Sequence, residues 1–284
     1  MANSKKFIII GSVVIIGYSL PFLLIGIMRW LSIGFDLNEI KNIQYVVSVF
    51  VCILALGTSF HLWSRVSSLE GKIKKLFLLS GFTFVVITGI FTYNMLNILF
   101  EWLGYNSISG TLNTLIPQVQ FNVFNIEALK ISMPADSFIT FGLILLSISF
   151  YLYPMEKYVK QTIPWHTITM FICTALIPLL LILRDIPNSV WLLSIGTIGV
   201  VLWVFYNFLF LFYLYFSTGI KSPKGTAMRK ASFMIGFGIL SIFLTWIVGL
   251  IRLGSPILEF SAQMLTGGIG IFLFNYGFRL IKMG

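Results

Sequence analysis

The stretch IVGLIRLGSPILEF, residues 247–260, sets a guanidinium and a carboxylate, Arg252 and Glu259, on either side of a Gly-Ser-Pro turn. Such a pair can clasp a small zwitterion or anion. It can also do no more than satisfy two helix ends, because a cation is favoured at a helix C-terminus and an anion in a first turn. Ser255 and Pro256 suit the N-cap and first position of the second helix, which puts Glu259 in that first turn. Arg29 and Arg184 close apolar runs in the same way as Arg252. Glu101 breaks the pattern: it ends an apolar run, where the helix dipole gives a carboxylate nothing and the hydrocarbon edge makes an unpaired one costly. It needs a cation, and Arg29, Arg184 or Arg252 is the nearest supply at that level. The expected site is therefore a shallow outward-facing polar pocket built from Glu101, two of those arginines and Glu259, able to hold a small zwitterion or anion.

Other side chains with chemical potential are few. His61 and His166 fall at similar depth on different helices, the minimum for bis-imidazole haem ligation. An interfacial histidine satisfied by its neighbours is the commoner arrangement, and no cofactor or metal is expected. Asn94, Asn207 and Asn275 fall within apolar runs, where buried amides hold helices together by hydrogen bonds or line a path for a neutral solute. Enzymatic chemistry is not expected. Asp36, Asp136 and Asp185 stand at run ends rather than within spans, and no histidine follows His166 to activate a serine in a late helix. Proton- or ion-coupled transport usually needs an ionisable group at mid-depth, and none of the apolar runs carries one.

The elements that must position these residues are membrane helices. The chain is 58% hydrophobic and 10% charged with a mean hydropathy of +0.96, against about 25% charged residues in soluble domains. A bilayer crossing takes about 20 apolar residues, and apolar runs at about 7–30, 44–64, 76–100, 137–154, 165–183, 190–216, 231–251 and 257–278 predict a bundle of about eight transmembrane helices in one domain, residues 1–284. The basic start MANSKKFIII leads into a retained first span rather than a cleaved signal. Cys52 and Cys173, both within apolar runs, read as small buried hydrophobes.

With the N-terminus in the cytoplasm, 14 of the 19 basic residues fall inside, and only Arg29, Lys41, Lys130, Arg184 and Arg252 fall outside. Of the nine acidic residues, Glu70 and Glu156 fall inside, in cytoplasmic loops. The positive-inside rule thus puts both termini in the cytoplasm of a cell-membrane protein. The +10 net charge then reflects topology and anionic lipid at the cytoplasmic loops, not nucleic acid. One connection is long: residues 104–136, where Val119, Phe121 and Val123 alternate with polar residues, predict a small external β-hairpin returning through 126–133 over the outer mouth. Small residues at Ser232, Gly236, Ala262, Thr266 and Gly270 predict close packing of the last two helices, against each other or a neighbouring subunit. The functional expectation is a non-catalytic, outward-facing sensor or receptor-like module that binds a small ligand and signals to a membrane or cytoplasmic protein partner. The alternatives are a facilitator for a small neutral or zwitterionic solute and a structural subunit of a membrane complex.

Overall fold

Hydrocarbon offers backbone amides no water, so an apolar run that crosses it must close its own hydrogen bonds as a helix. Each of the eight apolar runs does form a helix: α1 (Ala2–Ile33), α2 (Ile40–Val66), α3 (Gly71–Trp102), α4 (Ala135–Pro154), α5 (Trp165–Leu183), α6 (Val190–Lys221), α7 (Ala227–Leu250) and α8 (Pro256–Leu280). The computed structural model describes residues 2–33, 40–66, 68–106, 119–122, 130–133, 135–183, 190–250 and 256–281. Among these, five stretches are long and apolar enough to cross a membrane: Ile8–Arg29, Gln44–Val66, Gly71–Trp102, Ile198–Lys221 and Ala227–Thr245. The described apolar part of α5, Trp165–Leu176, is shorter. The architecture is that of a helical protein with several helices suited to a multi-pass membrane location. α8 starts at Pro256, where the Ser255-Pro256 pair places it.

Most helices pack on their chain neighbours, and α2 also meets α8. Tyr151 on α4 closes the bundle by reaching Tyr215 on α6 and Phe274 on α8, with ring centroids 6.2 and 5.2 Å away. The core between α2, α3, α4, α6, α7 and α8 is aromatic. Phe77 meets Phe278 edge to face at 5.3 Å and Phe84 meets Phe274 at 5.1 Å, the geometry that ring quadrupoles favour. Arg65 on α2 donates to the Phe278 and Ile281 carbonyls at 2.8 and 3.4 Å, and so satisfies the open end of α8. α1 leans on α2 and α3, where Tyr18 hydrogen-bonds Thr92 and lies beside buried Cys52.

α7 and α8 approach each other most closely. A Cβ on Gly238 would lie 2.8 Å from the Gly270 carbonyl oxygen, and one on Gly270 would lie 2.9 Å from the Gly238 oxygen. Ser241 donates to the Thr266 carbonyl at 2.7 Å across the same seam. The close packing predicted for these helices is therefore with each other, but the residue on α7 that permits it is Gly238. Gly236 faces Tyr215 on α6 instead.

Two differences from the sequence expectation bear on function. In the long connection, β1 (Val119–Asn122) pairs antiparallel with β2 (Lys130–Met133) in the register Val119↔Met133 to Asn122↔Lys130, so the return strand starts four residues later than position 126. At the other end of α4 the chain does not enter a loop after Pro154. It continues through a π-helical turn, Met155–Lys160, which Gln161 ends in the left-handed region at φ 58°. Wide turns of this kind recur at functional sites.

Candidate functional sites

The first group of charged residues gathers where α1 and α3 finish and α2 begins. The Lys41 ammonium lies 2.5 Å from Oε2 of Glu101. The Arg29 guanidinium stands over the ring of Trp102 at 5.4 Å, and Trp102 packs on Tyr45 at 4.7 Å. Tyr45, buried in the α2–α3 cluster, donates to the Phe22 carbonyl at 2.9 Å and so ties α1 to the group. Among the described residues, the cation at Glu101 is thus Lys41. Arg29 is adjacent but engages the neighbouring indole. The reason is positional: Lys41 lies in the first turn of α2, directly against the last turn of α3. Arg184 and Arg252 lie outside the described residues, as does the side chain of Glu259, whose backbone is in the first turn of α8. The Lys41 and Glu101 side chains are 55% and 37% exposed, so water screens the pair and it remains open to exchange of partners.

The second group was not anticipated. Glu156 belongs to the π-helical turn and is only 3% exposed, where the sequence reading places it in a loop. The chain folds back after Gln161 and presents the start of α5 to it. Oε1 accepts from the His166 amide at 3.0 Å and lies 2.6 Å from His166 Nδ1. Oε2 accepts from the Thr167 amide at 2.9 Å and from the Thr167 hydroxyl at 2.8 Å. One buried carboxylate therefore satisfies two of the open amides of α5 and faces the positive end of its dipole. A carboxylate only accepts, so Nδ1 carries a proton toward Glu156. Tyr206 on α6 holds its hydroxyl 3.4 Å from Nε2.

Rings surround the imidazole. Phe210 stacks on His166 at 4.1 Å and 11°, Tyr206 at 5.7 Å and 10°, and Trp203 at 6.2 Å and 13°. The three α6 residues share one helix face by their spacing of three and four. Asn207, on the edge of that face, is fully buried; its amide nitrogen donates to the Trp203 carbonyl at 2.8 Å, and its Oδ1 has no partner among the described residues. The Trp203 indole nitrogen is likewise buried without an acceptor. A signal for this group existed in the sequence. Glu156 is one of only nine acidic residues in the chain, two residues after Pro154 and ten before His166.

The remaining expected residues separate. His61 on α2 sits near Arg65 and Arg279, its Nε2 buried without a partner among the described residues. Asn275 keeps a buried, unpartnered Oδ1 on α8. Asn94 is exposed rather than buried, because the buried stripe of α3 runs through Phe84, Thr88, Met95 and Ile98 and passes beside it. Among the described residues no three His, Cys, Asp or Glu side chains gather as a metal site would. Comparisons of the chain with protein families, characterised proteins and solved structures return no match.

Proposed function

We propose that the chain is a non-catalytic, multi-pass membrane module of about eight crossings that senses a small zwitterion or anion at its outer face. The convergence of Arg29, Lys41 and Glu101 on the ends of three helices carries this reading. Two cations and one anion leave a net positive site, and the exposed Lys41–Glu101 pair can open to let a ligand carboxylate meet Lys41 and Arg29 while its ammonium meets Glu101. Trp102 and Tyr45 supply an apolar floor. The hairpin β1–β2 covers this face in the proposal. The charge asymmetry of the loops supports an orientation with both termini in the cytoplasm, where basic loops meet anionic lipid and a separate protein partner.

Purified protein in micelles is the test, with its thermal unfolding followed against a panel of amino acids and small carboxylates. A member of the panel is expected to raise the unfolding temperature, and Glu101→Gln is expected to abolish the response to zwitterions while retaining that to simple carboxylates. No response from any compound, or an unchanged response in Glu101→Gln, counts against the reading. The unpartnered Oδ1 atoms of Asn207 and Asn275 favour a second reading, a facilitator for a neutral or zwitterionic solute. Flux into proteoliposomes separates the two, because a sensor binds without transporting.

A further inference from the structure

We infer that the end of the bundle where α2 and α8 finish holds one anionic phospholipid, its phosphate taken by the guanidinium groups of Arg65 and Arg279 and an acyl chain laid along the exposed face of α8. This deepens the reading that the basic end of the molecule meets anionic lipid, and rests on it for the charge of the lipid. A diffuse attraction of loops becomes one site between two helix ends.

The first observation is charge without a counter-charge. Arg65 donates to the Phe278 and Ile281 carbonyls at 2.8 and 3.4 Å, which brings it to the last turn of α8, where Arg279 stands. Arg279 is close enough to act electrostatically on Arg65, and both act on His61, one turn back along α2, which offers no negative charge. The α8 terminus supplies roughly half a negative charge, and Arg65 already uses it. Arg279 is exposed and enters no hydrogen bond or ion pair among the described residues. The acids at this end do not help: Glu156 is spent on the start of α5, and Glu70, exposed ahead of α3, forms no ion pair among the described residues.

The second is the surrounding field. The antiparallel register that sets Gly238 against Gly270 and Ala231 against Gly277 puts Arg229 level with Arg279. The register that sets Gly11 against Phe60 and Gly26 against Tyr45 puts Lys6 level with Arg65. Arg229 stands over the Phe233 ring at 5.6 Å and donates to the Ser222 carbonyl at 3.4 Å, so it adds to the positive potential without joining the pair. A phosphate group suits such a place, because its several oxygens accept from two planar guanidinium forks at once.

The third is shape. Leu265, Ile269, Phe272 and Tyr276 are each 45–65% exposed, and their spacing of four, three and four puts them on one face of α8 that ends, three residues further, at Arg279. From position 265 to position 279 this stripe is about 21 Å long, against roughly 15 Å for half the hydrocarbon core. It is long enough to carry an acyl chain whose phosphate reaches the arginines. Free phosphate has no use for the stripe, whereas a phospholipid matches both parts.

The test is titration of the purified protein in non-ionic detergent with dioleoyl-phosphatidylglycerol, dioleoyl-phosphatidylcholine or sodium phosphate at constant ionic strength, with the unfolding temperature as readout. Phosphatidylglycerol is expected to raise that temperature to a plateau, since a ligand bound by the folded state stabilises it, and the other two to raise it far less. Arg279→Gln, at an exposed side chain without hydrogen bonds, is expected to weaken the apparent affinity for phosphatidylglycerol on the order of tenfold, the effect of losing a hydrogen bond to a charged group. Arg279→Lys keeps the charge but not the fork and is expected to fall between the two. Lys72→Gln removes an equal charge from the exposed start of α3, outside the pair, and is expected to change the affinity less than twofold. Equal losses in Arg279→Gln and Lys72→Gln overturn the site but leave the general attraction to anionic lipid standing. Equal responses to phosphatidylglycerol and phosphatidylcholine overturn both, and an equal response to sodium phosphate overturns the lipid as the source of the phosphate. Light scattering on the same samples covers the remaining occupant of the stripe: a lipid-independent dimer abolished by Phe272→Gln assigns that face to a second copy and overturns the proposal.

Discussion

Each oxygen of Glu156 lies within hydrogen-bonding distance of two donors at the start of α5, so the side chain acts as a clamp between the end of α4 and the N-terminus of the next helix. Replacing it with leucine leaves two amides, a hydroxyl and an imidazole N–H without acceptors in a buried place. An unmet hydrogen bond to a charged group costs about 1.5–3 kcal/mol, and loss of a helix cap about 1 kcal/mol. Glu156→Leu is therefore expected to lower the stability of the folded bundle by about 3 kcal/mol, with amide exchange at residues 166–168 rising before exchange elsewhere in the core. Glu156→Gln retains one carbonyl acceptor and should lose less than half as much. Denaturant titration in micelles with exchange read by mass spectrometry checks both. Equal stability in Glu156→Leu would show that the carboxylate is incidental to the fold. Little of this was legible in the residue string. Glu156 and His166 are visible as residue types, but their contact depends on a π-helical turn and on Gln161 reversing the chain, neither of which has a periodic signature. Lys41 beside Glu101 was not legible for a related reason: it is lost among polar residues ahead of the apolar run 44–64, and only the packing of α2 against α3 brings it to Glu101.

At the scale of elements, the sequence was far more informative. Each apolar run became one helix, because bilayer-length hydrophobicity admits no other backbone arrangement. The helices run past the apolar limits, as with Ala2–Ile33 against 7–30, since hydrogen bonding continues into polar flanks that hydropathy does not register. Helix faces were less legible. The buried stripe of α3 bypasses Asn94, and in a segment apolar all round no contrast marks which side meets protein and which meets lipid. The α7–α8 seam tests how far small residues govern packing. A Cβ at position 238 would meet backbone atoms at 2.8 and 2.9 Å, which cannot turn away as a side chain can. Overpacking of this kind costs about 1–3 kcal/mol. Gly238→Ala is expected to fall in that range, whereas Gly268→Ala, with nothing within 4 Å of the new carbon, should change stability by about 0.5 kcal/mol or less. Unfolding of both variants in a graded mixture of mild and denaturing detergent measures the difference. Equal losses would mean that helix flexibility, not the seam, sets the cost.

For the whole molecule, the decisive quantity is the sorting of charge between the two ends of the bundle. Neighbouring helices joined by short segments lie antiparallel, as α2 and α3 do, so successive connections alternate between faces if every helix crosses. Fourteen of 19 basic residues then fall on one face, together with both termini if all eight helices cross. In a bacterial host, a fluorescent protein that folds only in the cytoplasm should shine when fused after Lys282, and an alkaline phosphatase that matures only outside should be active when inserted after Gln120, in β1. An inactive phosphatase with a dark C-terminal fusion would mean the reverse orientation. Two fusions reporting the same face would mean that one of the five helices between them lies on the membrane rather than through it, and α5, with the shortest described apolar stretch, is the first to examine. Arg29, Lys41 and Glu101 would face the cytoplasm in a reversed molecule and could not receive an external ligand, so the orientation decides whether the proposed outer site can serve at all.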